Sequence, residues 1–196
     1  MSNNGIRPCF KALAAVSVFS VAPCLMQAQN TSTGAGNHMD TGAKQMLNSA
    51  DKAFAMKAAQ GGLAEVQMGK LAADKGSSPD VKAFGQQMVD DHTKANDQLK
   101  SVAQQENMTL PATVNSKDQA EYDKLNGLSG AAFDKEYVRD MVKDHMMDVK
   151  EFEREANKGQ DPAIKGFASQ TLPVLQGHLS KIKDIQSKMG SGSSSM

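Results

Sequence analysis

Apolar residues recur every three or four positions along four long stretches of the chain, which is the spacing of one face of an α-helix. The members of the clearest stripe are Val81, Phe84, Met88, Ala95, Leu99 and Val102. Ser78, Pro79 and Asp80 precede this stripe. They are typical of an N-cap, a first helical residue and an acidic first turn. The pattern therefore predicts a helix that begins at Pro79.

Three further stretches of similar length show the same periodicity. It predicts helices over residues 49–75, 130–157 and 162–188. Gly76 follows the first of them and is a good helix stop, because glycine accepts the left-handed conformation of a helix end. The last begins at Asp161–Pro162, again a cap followed by proline.

The links between the predicted helices indicate how they pair. Short links join the first helix to the second and the third to the fourth, which favours two antiparallel hairpins. The connection over residues 107–129 is long enough to cross between the hairpins, and within it Ser116 with Gln119 is typical of the capping box of a short helix. We therefore predict an all-α domain over residues 47–189: an antiparallel four-helix bundle with a long crossover between its second and third helices.

The amino-acid composition is consistent with an all-helical fold and excludes one class of binding partner. Met is frequent, with 13 residues, and Trp is absent. A core short of aromatic residues suits helices better than sheets. Without Arg7 and Lys11, which belong to the N-terminal segment, 20 basic and 22 acidic residues remain. No basic stripe is left to follow a phosphate backbone, so we expect no nucleic-acid partner.

The first 28 residues are typical of a secretory signal peptide. Arg7 and Lys11 precede an apolar run over residues 12–22, which is too short to span a bilayer. Cleavage is predicted after Ala28. No later segment is apolar enough to cross a membrane. We therefore expect an exported protein, located in the periplasm or associated with the outer membrane.

Both cysteines of the chain, Cys9 and Cys24, lie in this N-terminal segment. The rest of the chain therefore holds no disulfide and no thiolate ligand for a metal. Pro23, directly before Cys24, disfavours a lipoprotein anchor at that cysteine. Residues 29–46 are predicted to be a flexible spacer and residues 190–196 a disordered tail, because both are rich in small and polar residues.

Three histidines fall in the apolar stripes of three different predicted helices. His92, His145 and His178 each lie near mid-height of their helix, so they converge if the helices form a bundle. On the first helix, Glu65 is the only large member of a stripe of small residues, although a rotation of that helix would turn Val66 inward instead. Such groups are costly in an apolar seam unless they are paired or bound. We therefore predict a site for a transition metal such as zinc, iron, copper or manganese. Its candidate ligands are His92, His145, His178 and Glu65.

Other interpretations of this cluster stay open. The histidines can form a metal-free polar cluster, or each can hydrogen-bond separately within the core. Asp91 and Asp144 directly precede His92 and His145. One residue corresponds to a rotation of about 100° around the helix, so these aspartates point away from the cluster and are either hydrogen-bond partners at its edge or surface charges. Two interpretations are open for four methionines of these helices. They pack in the core, or they form together with histidine a donor set typical of copper. These methionines are Met88, Met141, Met146 and Met147.

The sequence carries no motif for other chemistry. It has no glycine loop for phosphate and no nucleophile elbow. Gly61 and Gly62 are better explained by a close contact between helices. We therefore expect a non-enzymatic protein with a His/Glu cluster that binds a metal. A metal-dependent oxidoreductase of the cell envelope, and a structural or partner-binding protein without metal, are the alternatives.

Several segments carry a resemblance to a known family. They are Ala58–Val66, Met88–Asn96, Leu128–Gly130 with Phe133–Asp134, Met141–His145 and Thr171–His178. In this order they resemble a bacterial family of exported, ferritin-like domains of unknown function, whose members are often labelled outer membrane proteins. The resemblance covers about residues 48–186. It implies a ferritin-like four-helix bundle and no established activity.

The chain departs from the di-iron pattern of the wider ferritin-like group. That pattern has a Glu three residues before each of two histidines. Here Val89 and Leu175 occupy those positions before His92 and His178. The resemblance therefore does not imply a di-iron oxidase.

Overall fold

The computed structural model describes residues 47–192, which form five α-helices and no strand. The helices are α1 (Ser49–Lys75), α2 (Pro79–Gln105), α3 (Ser116–Asn126), α4 (Gly130–Lys158) and α5 (Pro162–Gly192). The all-α prediction is confirmed. The predicted signal peptide and spacer, residues 1–46, lie outside the described residues. None of the five helices combines the length and hydropathy needed to cross a membrane.

Two local features differ from the sequence prediction. Helix α5 continues to Gly192, so the first three residues of the predicted tail are helical, while residues 193–196 lie outside the described range. Helix α3 is capped one residue earlier than predicted. Its cap is Asn115, whose side chain accepts a hydrogen bond from the Asp118 N–H at 3.0 Å and donates one to the Asp118 carboxylate at 2.7 Å.

The helices pair as the short links require. Helix α1 packs along α2 and α4 packs along α5, while α2 also contacts α5, α1 contacts α4, and α3 contacts α1 and α4. Glycines allow the close approach of α1 and α2: a Cβ atom at Gly69 would lie 2.8 Å from the Gly85 carbonyl, and one at Gly62 would overlap the Asn96 side chain. The interpretation as a close helix contact therefore fits Gly62 but not Gly61, where a Cβ atom would meet nothing within 4 Å.

A buried carboxylate from the opposite hairpin holds each short link. Asp134, near the start of α4, accepts hydrogen bonds from the Ser77 N–H at 2.9 Å, the Ser77 hydroxyl at 2.6 Å and the Ser78 N–H at 2.7 Å. Asp51, near the start of α1, accepts from the N–H groups of residues 160 and 161 at 3.0 and 2.6 Å. Ser78 is the N-cap of α2 as predicted, but its hydroxyl makes no capping bond. The Asp134 carboxylate therefore fixes the link residues before α2 and does not accept from the first turn of α2 itself.

The apolar core consists of two clusters. One includes Phe84, Phe133, Tyr137 and Ile182. The other includes Phe54, Leu99, Phe152 and Ile164. Along each long helix, the change from one cluster to the other falls near a buried polar residue. These residues are Glu65, His92, His145 and His178. The fold thus places a polar layer at mid-height, between two apolar halves.

Candidate metal centre

His92 of α2, His145 of α4 and His178 of α5 meet in this layer. Their ring centroids are 6.0 Å (His92–His145), 5.5 Å (His92–His178) and 5.4 Å (His145–His178) apart. One potential ligand nitrogen from each ring lies within 4.8 Å of those of the other two. The exposed fractions of the residues are 6, 0 and 1%. Stripes on three separate helices therefore bring their histidines to one buried point.

Hydrogen bonds define the protonated nitrogen of two of the rings. His145 Nδ1 lies 3.0 Å from the Met141 carbonyl oxygen, which can only accept, so the proton is on Nδ1. In the same way His178 Nε2 donates to the Asp91 carboxylate at 2.7 Å. His145 Nε2 and His178 Nδ1 are left with free lone pairs. Neither of these atoms, nor His92 Nε2, has a hydrogen-bond partner among residues 47–192.

Burial favours the neutral form of the rings. It lowers the pKa of His145 to about 4, and the nearby His178 acts in the same direction. It also lowers the pKa of His92 well below its usual value, with further contributions from His145 and His178. Neutral imidazole is the form that binds a metal. The His92 and His145 rings are therefore ready to act as ligands at neutral pH.

The two aspartates that precede histidines have different roles. Asp91 is an outer partner of the cluster, since it accepts from His178 and also from the Gln87 amide at 3.3 Å. Lys181 in turn donates to the Gln87 side chain at 2.6 Å. Asp144 interacts instead with Glu121 of α3, and burial raises the pKa of both carboxyls, that of Glu121 to about 7.

Glu65 lies in the core beside His145 but apart from the three ligand nitrogens. It is 3% exposed, whereas Val66 is only partly buried, so Glu65 is the residue that α1 turns inward. Its Oε1 lies 3.7 Å from His145 Nδ1, the nitrogen already bonded to the Met141 carbonyl. Burial raises the pKa of Glu65 well above its usual value. The structure thus places a buried carboxyl with a raised pKa next to the cluster and does not group it with the three nitrogens.

The methionines divide between core and surface. Met88 and Met141 are fully buried in the first apolar cluster, as packing residues are. Met146 and Met147 are 41 and 40% exposed.

Thr171 is a buried polar residue near the histidine layer that the sequence did not identify as a candidate site residue. It lies two helical turns before His178 on α5, is 7% exposed, and its hydroxyl has no hydrogen-bond partner in the described part of the chain. With His92 it lines a cavity of about 30 Å³. The available signal was a hydroxyl in an otherwise apolar stripe, seven residues from a histidine on the same face.

The three nitrogens fit a first-row transition metal. Atoms up to 4.8 Å apart share a point within about 2.8 Å of each, whereas metal–imidazole bonds are about 2.0–2.1 Å. Each ring would therefore move inward by at most about 0.7 Å to reach bonding distance. Imidazole ligands suit zinc, copper, iron and nickel.

Comparison with known families matches residues 37–185 to a model described as Domain of unknown function (DUF4142). No curated protein sequence matches the chain significantly.

Three solved structures are similar to this chain. A DUF305 fragment from Deinococcus radiodurans has a TM-score of 0.64 and 11% identity over 72% of this chain and 98% of its own. A DUF305 protein from Streptomyces coelicolor, whose description proposes that it is secreted, has a TM-score of 0.60 and 17% identity over 72 and 94%. CopM in its Cu(I)-bound form has a TM-score of 0.59 and 16% identity over 70 and 96%. At these identities the likeness shows a shared helical fold and nothing more.

Proposed function

The chain belongs to the DUF4142 family, and we propose that it binds one transition-metal ion through His92, His145 and His178. One observation carries the proposal: three buried histidines from three helices converge, and each ring keeps one nitrogen without a hydrogen-bond partner among the described residues. An unpartnered buried polar atom costs about 1–3 kcal/mol. Three of them at one point are better explained by a bound ion than by packing.

Copper in its monovalent form is our first candidate ion. The ligands are imidazole rings in apolar surroundings: the centroid of the Phe84 ring lies 6.3 Å from that of His145 and 6.1 Å from that of His178. One positive charge is cheaper to bury in such a place than two, and Asp91 on His178 supplies one balancing negative charge. The similar structure of CopM holds Cu(I). Zinc, which also favours imidazole, is the second candidate, followed by iron and manganese.

Glu65 is kept as the fourth residue of the site, with a role that depends on the charge of the ion. Its Oε1 lies 3.7 Å from His145 Nδ1, and burial raises its pKa, which favours the protonated form. A divalent ion would favour loss of that proton, and the carboxylate would then balance the second charge. Glu65→Gln is therefore expected to weaken Zn(II) binding more than Cu(I) binding.

We propose further that the four long helices form a ferritin-like bundle with α3 in the crossover, which the pairing of α1 with α2 and of α4 with α5 supports. We also propose a non-enzymatic role in the cell envelope. Its supports are the signal-like residues 1–28 and the similar structure whose description proposes secretion.

Metal analysis tests the proposal directly. The untagged protein, expressed with its own N-terminal segment, is incubated anaerobically with Cu(I), or with Zn(II), and its metal content is measured after gel filtration. We expect one equivalent in the native protein and loss of that metal in His92→Ala, His145→Ala and His178→Ala. His38→Ala is the matched control, because His38 is the one other histidine of the chain and lies in the predicted spacer.

Circular dichroism of each variant separates loss of metal from loss of fold. Native protein that retains no copper, zinc, iron or manganese, and whose melting temperature does not respond to any of them, would contradict the proposal. The histidines would then form a metal-free polar cluster.

A further inference from the structure

A narrow cavity of about 30 Å³ lies beside His92, between α1, α2, α4 and α5. Glycine makes room for it: Gly61 and Gly62 of α1 line the cavity, and a Cβ atom at Gly61 would meet nothing within 4 Å. About 10–15 Å³ is enough to hold a water molecule. The space therefore suits one or two waters or a ligand of two or three atoms.

The inner wall of this cavity carries two polar atoms that have no partner among residues 47–192. The lining residues His92 and Thr171 hold them, as His92 Nε2 and the Thr171 hydroxyl, and these residues are 6 and 7% exposed. A helical threonine usually bonds to a carbonyl oxygen one turn back along its own helix. Because the Thr171 hydroxyl makes no such bond, it is free to donate to a molecule in the cavity.

The outer wall of the cavity reaches the protein surface. Lys57 of α1 and Glu151 of α4 line it and form an ion pair with each other, and their side chains are 64 and 27% exposed. Asp148 lines the same wall. The cavity thus runs from a polar rim to a histidine of the candidate metal centre, and its volume admits only small molecules.

Resting on the proposed function, we infer that this cavity gives the metal centre an open coordination position for a small inorganic ligand of two or three atoms. Three ring nitrogens leave a fourth position of a tetrahedral ion unfilled. The cavity adjoins His92, so a ligand that enters it approaches the ion from that side. Thr171 lines the same cavity and its hydroxyl has no partner among residues 47–192, so we expect it to donate a hydrogen bond to a ligand there.

Carbon monoxide on Cu(I)-loaded protein tests this inference, with infrared spectroscopy and stopped-flow mixing as readouts. We expect one carbon monoxide per copper and a single C–O band. Gly61→Leu fills the cavity and is expected to slow carbon monoxide binding at least tenfold while copper loading stays at one equivalent. Gly166→Leu is the matched control, since Gly166 is also a half-buried helical glycine with nothing within 4 Å of its Cβ position.

Thr171→Val supplies a second readout. It keeps the side-chain shape and removes the hydroxyl, so we expect a shifted C–O band with unchanged copper loading. If the centre binds only divalent ions, the same variants are compared as Co(II)-loaded proteins, and azide binding is followed by the change in the visible absorption of Co(II).

The outcomes separate the two proposals. A protein that loads no metal contradicts the proposed function and the inference with it. A protein that loads one equivalent but binds no small ligand overturns only the inference. Equal binding rates in Gly61→Leu and the native protein likewise overturn it, because the ligand then reaches the ion by another route.

Discussion

At the scale of single residues, one hydrogen bond determines which ring nitrogen of His178 is available to bind an ion. Asp91 accepts from Nε2 at 2.7 Å, which leaves Nδ1 as the free nitrogen. Carboxylate partners of this kind orient a ligating histidine and raise its basicity. The Gln87 amide bonds to the same carboxylate and holds it in place.

We predict that Asp91→Asn lowers the affinity for the metal by roughly 10–100-fold, because the amide no longer supplies a negative charge to the His178 ring. Asp90→Asn is the control. Asp90 is exposed and accepts from Gln86 at 2.9 Å, so it repeats the Gln–Asp spacing away from the site. The affinity is measured by competition with a chromophoric chelator. Equal affinities in the two variants would show that the hydrogen bond has no influence on the ion.

Periodicity predicted the inward direction of His92, His145 and His178, because helical geometry fixes which residues share a face. It could not predict how the rings turn. The partner of His178 lies 87 positions away, and side-chain torsions decide which nitrogen meets it. Glu65 shows the same limit: its burial follows from the stripe, but the position of its carboxyl beside Nδ1 of His145 does not.

At the scale of helices and links, two carboxyls join the start of α1 to the end of α4. Asp51 accepts hydrogen bonds from the α4–α5 link, and Glu155 of α4 is 4% exposed. The pKa of Glu155 is raised from 4.5 to about 7, first by burial and then by the charge of Asp51 and a hydrogen bond with it; Arg154 opposes this shift and Asp161 adds to it. Ionisation of Glu155 therefore adds a second negative charge beside the Asp51 carboxylate, which already binds the α4–α5 link.

We predict that the contribution of Glu155 to the free energy of unfolding falls as the pH rises from about 5 to 8. The folded state keeps the Glu155 proton up to about pH 7, whereas the unfolded chain releases it near 4.5. The stabilisation is thus fully present below about pH 4.5 and is lost as the pH passes 7. Glu155→Gln should flatten this dependence and be more stable than the native protein at pH 8 by about 1–2 kcal/mol.

Urea unfolding at several pH values measures this effect. The control is Glu153→Gln, an exposed residue of the same helix, which should keep the native pH dependence. A stability difference between Glu155→Gln and the native protein that is the same at pH 5 and pH 8 would contradict the prediction.

The helices were largely predictable, and the contacts that hold their ends were not. Pro79 and Pro162 begin α2 and α5 as predicted, because the signals for a helix start are local. The acceptor for the link residues before α2 is Asp134, 56 residues after Ser78, so no local pattern contains it. The continuation of α5 to Gly192 through residues of weak helix propensity was also missed.

At the scale of the whole molecule, the histidine layer divides what would otherwise be one apolar core. The two clusters lie on either side of it, and its three unpartnered nitrogens are buried between them. The lengths of the links predicted how the helices pair, but side-chain volumes around Gly61 decide where a cavity remains. A layer of this kind lowers the stability of the metal-free fold, and an ion that binds only the folded state restores it.

We therefore predict that a triple variant, with His92, His145 and His178 all replaced by Leu, folds, takes up no metal and melts at a higher temperature than the metal-free native protein. Replacing buried polar groups by apolar residues of similar volume is often neutral or stabilising, by up to about 1–4 kcal/mol. Thermal melting in the presence of a chelator measures the difference, and metal-loaded native protein serves as the reference. If the variant melts lower, the rings stabilise the core through their own contacts. If it melts higher, the chain keeps three histidines at a cost in stability that packing alone does not explain.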